Sequence, residues 1–443
     1  MELFQHQKDG LNACKELSHV AFYWDMGLGK TFAGSEKIMQ LGSEVNLVVC
    51  QKSKIVDWMD HFFTYYIDRT KFDESGAWCY DLTQSNGIDY MMHSRYRTII
   101  GVINYDLIWR RPELLKLKDF TLLLDESSLI QNDTAKRSKF IMKLNPSNVI
   151  LLSGTPTGGK YENLWSQMHL LGWKISKELF LKQYTEVEYL DTAERSIPIV
   201  VGYKNEERLK RKMKEHGCQF LKTNEVFDLP AQIFSPIKLP VSPMYERFHK
   251  HKVVKFIWWD AAVKNACDPN DDGEVELVGD TTLTKMLYER QLCGMYSEEK
   301  LKAFEDLLES SADRFIVFYN FTAELEAMME VCDYINRPYS IVNGSTKDLT
   351  AYEQHDDSIT FVQYQAGAMG LNLQKAFRMI FFTLPLSSEL FEQSKKRIHR
   401  IGQKEVCFYY ILICRRSIEE KILKTLEMRQ DYTEKLFEKD DEF

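Results

Sequence analysis

The chain reads as an α/β protein in two halves, each a parallel sheet flanked by helices, with a less regular inserted region between them. Two observations predict this. Short apolar runs recur along both halves with helix-length segments between them, which is the pattern of parallel strands joined by crossover helices. The runs are also apolar at consecutive rather than alternating positions, as strands covered on both faces are. In the first half the strand candidates are 20–24, 47–51, 98–103, 121–124 and 149–153; in the second they are 314–319, 339–342, 359–364, 378–383 and 408–413. The domain division that follows is 1–172, an inserted and junction region 173–285, and 286–443.

The first strand candidate runs into Asp25-Met26-Gly27-Leu28-Gly29-Lys30-Thr31, after which 31–41 is helix-like. Small residues between a strand and a helix let successive backbone N–H groups turn onto phosphate oxygens, and the helix adds the positive end of its dipole. Lys30 is then placed for the β and γ phosphates and the Thr31 hydroxyl for Mg²⁺. Trp24 stands where the general G-x-x-x-x-G-K-T pattern has its first glycine. Further on, the run 121–124 delivers Asp125 and Glu126 to the carboxyl end of a strand, where open α/β sheets bind their ligands. Asp125 suits Mg²⁺, and Glu126 suits a water to be oriented and deprotonated. Alone, the two strings are a glycine-rich turn and a solvated dipeptide. Together in a βαβ-like chain they point to a nucleotide-hydrolysing centre.

A third string, Gln393-Ser394-Lys395-Lys396-Arg397-Ile398-His399-Arg400-Ile401-Gly402-Gln403, is by itself a basic helix face. Its arginines gain meaning beside an ATP site, because phosphoryl transfer leaves charge that a forked, always protonated guanidinium stabilises.

With these residues in view the chain resembles a superfamily 2 nucleic-acid motor of the SWI/SNF-like kind, over nearly its whole length and with the motifs in order. Gln7, in Leu3-Phe4-Gln5-His6-Gln7, is similar to the family's adenine-reading glutamine. Leu47-Val48-Val49-Cys50-Gln51-Lys52-Ser53 with Trp58 resembles the strand and loop that grip a DNA phosphate. Asp125-Glu126-Ser127-Ser128 sits where such motors carry DEAH, and Ser153-Gly154-Thr155-Pro156 resembles the segment coupling the ATP site to the DNA track. In the second half, Ile316-Val317-Phe318-Tyr319-Asn320, Val342-Asn343-Gly344-Ser345, Ala366-Gly367-Ala368-Met369-Gly370-Leu371-Asn372-Leu373 and the 393–403 string match further family blocks.

The resemblance implies two RecA-like lobes with ATP and Mg²⁺ bound between them. Met26, Gly27, Leu28, Gly29, Lys30, Thr31, Gly370 and Asn372 would then touch nucleotide, Thr31 and Asp125 would hold the metal, and Arg400 would be the arginine finger with Arg397 its neighbour. DNA would be gripped by Lys52 and Ser53 on one lobe and by Asn320, Gly344, Ser345 and Gln365 on the other. Leu229-Pro230 resembles the junction where the chain leaves the first lobe. Three departures stand out: Ser128 replaces the usual histidine, Gln365 a frequent arginine, and 383–392 lacks the tryptophan-asparagine-proline of eukaryotic remodellers. Compact phage-encoded members are the closer likeness.

The function so implied is an ATP-dependent DNA helicase or translocase working on duplex, forked, branched or R-loop DNA, with branch migration or unwinding in replication, recombination or repair. A duplex translocase that displaces bound protein and an RNA-remodelling ATPase are the alternatives. A catalytically dead scaffold is disfavoured, since it would be expected to lack Lys30, Glu126 or Arg400.

Composition fits a cytoplasmic, monomeric or weakly associating enzyme. The 443 residues leave room for two or three domains. No apolar stretch approaches the roughly 20 residues needed to span a membrane, and no secretory leader is visible. Nine cysteines lack any C-x-x-C spacing, so reduced thiols are expected and structural zinc is not. The net charge of −8 conceals a basic run, Lys204 to Lys222, with seven Lys or Arg against three Glu. Local potential, not the total, attracts phosphate, although a solvated helix face explains the run equally well. The acidic tail 439–443 would help confine DNA to one groove.

In the inserted region, 186–190 and 197–203 flank 191–196 as a β-hairpin, either a support for the first lobe or a wedge on DNA. Asp268-Pro269-Asn270-Asp271-Asp272-Gly273 imitates half a calcium loop, but position twelve is Gly279 where a bidentate glutamate is required, so an acidic loop is expected.

Overall fold

The computed structural model describes residues 2–67, 76–191, 196–257, 274–367 and 371–437. The calcium-like string, Gly370, the acidic tail and the tip of the hairpin lie outside these residues. The chain divides into two compact units, Met1–Phe227 with Asp431–Phe443, and Asp228–Gln430.

In the first unit, β1 His19–Trp24, β2 Val45–Cys50, β3 Ala77–Asp81, β4 Thr98–Asn104, β5 Thr121–Asp125 and β6 Asn148–Leu152 follow in sequence. A hairpin, β7 Thr185–Asp191 and β8 Ser196–Tyr203, precedes β9 Cys218–Leu221. The sheet order is β3-β4-β2-β5-β6-β1-β9, and its pairings are parallel. The strands are buried on both faces. One face packs Tyr23, Leu47, Val49, Leu122, Leu124 and Leu151 into a core, and the other packs Phe22, Val48, Cys50, Leu123, Ile150 and Leu152. Three helices bear on the site: α1 Gln5–Ala13, α2 Lys30–Leu41 and α3 Ile55–Tyr65. α2 lies close on the sheet, because a Cβ at Gly34 would come within 3.0 Å of Leu123 Cδ1 and Leu152 Cδ1. In the register of β5 with β6, Asp125 pairs with Leu152, so the residues that follow each strand emerge side by side.

The second unit contains β10 Gln232–Leu239, an antiparallel pair β11 Val253–Ile257 and β12 Glu274–Val278, then β13 Phe315–Tyr319, β14 Tyr339–Val342, β15 Ile359–Gln363, β16 Arg378–Phe381 and β17 Cys407–Cys414. Its parallel sheet runs β10-β17-β16-β13-β15-β14. Phe318, Val362, Met379 and Ile413 line one core face, and Phe304, Phe315, Phe361 and Phe382 the other. A buried ion pair joins the helix Glu298–Glu309 to the last helix, Ile418–Phe437: Lys300 Nζ donates to Glu419 Oε1 at 2.5 Å and to the Phe382 carbonyl at 2.8 Å. Removing one partner of such a pair typically costs several kcal/mol, since the other charge stays buried.

All ten strand candidates are strands, and both sheets are parallel as expected. β3, β9, β10 and the antiparallel pair β11 and β12 are additional. β9 and β10 come from the segment 173–285 and join the first and second sheets respectively. Pro236 sits in β10, which pairs on one side only and so tolerates a missing donor.

Candidate nucleotide and DNA sites

The loop between β1 and α2 is shaped by backbone that only glycine enters cheaply. Gly27 and Gly29 have φ of +87° and +71°, and a Cβ at Gly29 would fall 2.2 Å from Gln7 Nε2. Lys30 Nζ donates to the Trp24 carbonyl at 2.8 Å and the Asp25 carbonyl at 3.1 Å, which holds its ammonium over the loop. Trp24 itself is buried, with α1 making room: a Cβ on Gly10 would lie 2.5 Å from the indole. The loop thus forms although its first glycine is a tryptophan. Asp25 Oδ2 accepts from the backbone N–H and hydroxyl of Thr223 at 3.1 and 3.2 Å, pinning the loop to the turn after β9.

Asp125 and Glu126 emerge beside this loop. Trp58 Nε1–H donates to Asp125 Oδ2 at 2.8 Å. Burial pushes the Asp125 carboxyl up to about 6, the Trp58 N–H opposes this, Glu126 adds to the rise and Lys30 lowers it. Glu126 occupies left-handed backbone, φ 58° and ψ 61°. Its Oε1 accepts from Ser153 Oγ at 2.7 Å and Ser128 Oγ at 3.1 Å, and Thr155 N–H donates to Ser153 Oγ at 3.1 Å. Ser128, in the place of the family histidine, therefore reaches the segment 153–156 through the Glu126 carboxylate. Gln167 completes the support. Its Oε1 accepts from Tyr23 at 3.0 Å and Ser127 at 2.7 Å, and its Nε2 donates to the Pro156 carbonyl at 2.7 Å.

These groups fit a magnesium nucleotide. The glycine cradle leaves backbone for phosphate, and Thr31 and Asp125 supply hard oxygen donors of the kind Mg²⁺ takes. Gln7 packs against the loop. It is buried, its Nε2 donates to the Leu28 and Gly29 carbonyls at 3.3 and 3.2 Å, and its Oε1 accepts from Phe4 N–H at 2.9 Å. It fixes the loop.

Of the DNA candidates on the first unit, Lys52 and Ser53 are exposed in a single 3₁₀ turn, Lys52–Lys54, after β2. Trp58, read with them as part of the phosphate grip, is buried on Asp125 instead. On the second unit the candidates follow successive strands. Gly344 and Ser345 lie in an exposed turn in which Asn343 Oδ1 accepts from the Ser345 N–H at 3.0 Å and hydroxyl at 2.9 Å. Gln365 is exposed after β15. Asn320 is committed inward, its Nδ2 donating to Thr383 Oγ1 at 2.9 Å and the Leu384 carbonyl at 3.1 Å. Arg397 and Arg400 both approach the Leu371 carbonyl, at 3.5 and 3.4 Å, and burial depresses the Arg400 guanidinium below its ordinary value without discharging it. Asn372, one residue on, is exposed. Within the basic run, Lys212 pairs with Glu215 at the surface of the helix Glu206–Glu215, which favours the solvated-face reading for it, whereas Lys210 is buried and pairs with Glu207.

Residues 6–297 match the family model of the SNF2-related domain. The chain belongs to the SNF2-related family. Residues 299–402 of this SNF2-related chain also match the helicase conserved C-terminal domain. It is 22% identical to the mouse SWI/SNF-related matrix-associated actin-dependent regulator of chromatin subfamily A member 1, over 91% of the chain and 40% of that relative. It is 21% identical to an uncharacterized ATP-dependent helicase of Mycoplasma genitalium, over 100% of the chain and 43% of the relative. A Sulfolobus solfataricus SWI2/SNF2 ATPase core solved with double-stranded DNA covers 98% of the chain and 92% of its own, at 18% identity and a TM-score of 0.44. The chain spans between 20% and 43% of the length of the curated relatives it matches. These are helicase-related domains, and no helix among the described residues is long and apolar enough to cross a membrane.

Proposed function

We propose that the chain is an ATP-dependent DNA translocase or helicase of the SNF2 kind that remodels forked or branched DNA. The observation that carries the reading is the set of side chains held at the carboxyl edge of the first sheet, with Lys30 fixed on its loop by the Trp24 carbonyl, Asp125 by the Trp58 N–H and Glu126 by the Ser153 hydroxyl. In this reading the loop N–H groups and Lys30 bind phosphate, and Thr31 and Asp125 hold Mg²⁺. Bound there, the metal would neutralise charge on the β and γ oxygens. Glu126 takes the proton of the attacking water while Ser153 and Ser128 fix its carboxylate, and the water oxygen displaces ADP from the γ-phosphorus. Arg397 and Arg400 remain the candidates for stabilising the transferred group.

The hairpin supports action on junctions rather than duplex tracking alone. Its base is anchored, with Tyr203 stacked on Tyr161 at 4.3 Å and donating to Glu162 Oε2 at 2.8 Å. Its arms expose Val187, Tyr189, Ile199, Val200 and Val201. An apolar ribbon carrying Glu186 and Glu188 is ill suited to gripping phosphate and well suited to bases, whose faces stack on aromatic side chains. The test compares ATPase stimulation by single-stranded, duplex, forked and four-way DNA with strand displacement on the same substrates. Stimulation strongest on forked or four-way DNA, with displacement, is expected; an active ATPase that no DNA stimulates would overturn the reading.

A further inference from the structure

α3 begins at Ile55, directly after the exposed turn Lys52–Lys54, with no residue between them. Trp58 and His61 lie one helical turn apart on this helix, so they share a face. Each holds a different part of the nucleotide site. Trp58 Nε1–H donates to Asp125 Oδ2. His61 Nε2 lies 2.9 Å from Ser35 Oγ, and Ser35 donates to the carbonyls of Thr31 at 2.9 Å and Phe32 at 3.1 Å. Tyr66 Oη lies 3.0 Å from the same hydroxyl, and the direction of the Ser35–His61 bond follows the imidazole tautomer. Both residues are buried, and α3 thereby grips the two elements that carry the metal-binding candidates Asp125 and Thr31.

We infer that α3 is a lever that transmits engagement of DNA at Lys52 and Ser53 to the metal-nucleotide site, with Trp58 and His61 as its positioning residues. The inference rests on the DNA-motor reading above. A phosphate drawn onto the turn pulls on the first residues of a rigid helix, and the two hydrogen bonds deliver that displacement to Asp125 and to the first turn of α2. Partners that orient a metal ligand are typically worth about 10- to 100-fold in metal affinity. A purely structural role would leave folding, and not the link to DNA, dependent on the indole N–H.

The test uses the full chain carrying Glu126→Gln, so that nucleotide binding is read without hydrolysis. Binding of a fluorescent ATP analogue is titrated with Mg²⁺, with and without forked DNA. In the Glu126→Gln parent, DNA is expected to lower the Mg²⁺ half-point. Adding Trp58→Phe, which keeps a ring but removes the N–H, should raise that half-point roughly tenfold and abolish the effect of DNA. Half-points equal to the parent's, with and without DNA, would overturn the inference. His61→Gln and His61→Leu provide a second comparison: the amide can still hydrogen-bond to Ser35 and should keep the DNA effect, whereas leucine should lose it. Equal behaviour of these two folded variants would also overturn the lever. A parent that binds nucleotide but never DNA would instead refute the motor reading, and direct DNA-binding measurements on the same protein separate the two failures.

Discussion

The carboxyl edges of the two sheets use similar loops to opposite ends. On the first sheet, side chains from loops far apart in sequence close on one another: Lys30 over its loop, Trp58 on Asp125, Ser128 and Ser153 on Glu126, and Gln167 behind them. On the second, Gly344 and Ser345 are exposed in one turn, Gln365 is exposed in the short helix Tyr364–Gly367, and Asn320 is folded back on Thr383 and Leu384. In the proposed function the first edge is the reaction centre, and its carboxylates are already held by neighbouring side chains. In the same proposal the second edge is a surface on which DNA phosphates would be met at several exposed points, each contributing little.

If this contrast holds, single changes at the first edge should be severe. Lys30→Ala and Glu126→Gln are each expected to reduce ATP turnover by at least about 100-fold, with Glu126→Gln retaining nucleotide binding, as measured by steady-state hydrolysis and equilibrium titration. Normal turnover in Glu126→Gln would remove the centre from this edge. Arg400→Lys tests whether the second unit adds to the chemistry. Turnover should fall by roughly tenfold or more because ammonium lacks the planar fork, and an unchanged rate would show that Arg400 does not serve the transferred phosphoryl.

Replacing residues 191–199 with a short Gly/Ser turn should separate the motor from its outcome: duplex-stimulated hydrolysis largely kept, unwinding and branch migration of forked DNA reduced several-fold. Unchanged remodelling would return the hairpin to a supporting role. For the DNA surface, Lys52→Ala should weaken binding across all sequences and reduce the salt slope by about one. Asn320→Ala should leave that slope unchanged and instead lower thermal stability, because its amide bonds lie inside the unit. Equal slopes for both variants would show that Lys52 does not touch phosphate.

A separate expected effect is on pH-dependent stability. An unfolded imidazole titrates near about 6.5, whereas burial lowers His61 to about 4. Between these values the unfolded chain binds a proton that the folded chain refuses. His61 should therefore contribute stability above about pH 6.5 and lose it as pH falls towards about 4, by on the order of 2 to 3 kcal/mol. His61→Gln should flatten that part of the profile in urea melts; an equally steep decline would assign it to other groups.

Strands covered on both faces were the easiest part to read, because a run such as Leu122-Leu123-Leu124 has no other stable home. β9 and β10 escaped because Gln219 and Pro236 interrupt their apolar runs, and β3 because its four-residue run Ala77-Trp78-Cys79-Tyr80 is short; all three lie at sheet edges, which tolerate such features. At the site, Lys30, Asp125 and Glu126 were legible because their chemistry dictates their spacing from strands. Trp58 and Gln167 were not. An indole and an amide serve core packing as readily as a hydrogen bond to a carboxylate, and only a fold that brings positions 58 and 125 together reveals which.

The backbone at Glu126 carries one further consequence. A side chain in that left-handed well costs roughly 1 kcal/mol that glycine would avoid. Glycine would relieve that cost but take away the acceptor of two buried hydroxyls, Ser153 and Ser128, a loss of about 1 to 3 kcal/mol each, so hydrogen bonding holds the side chain against the preference of its own backbone.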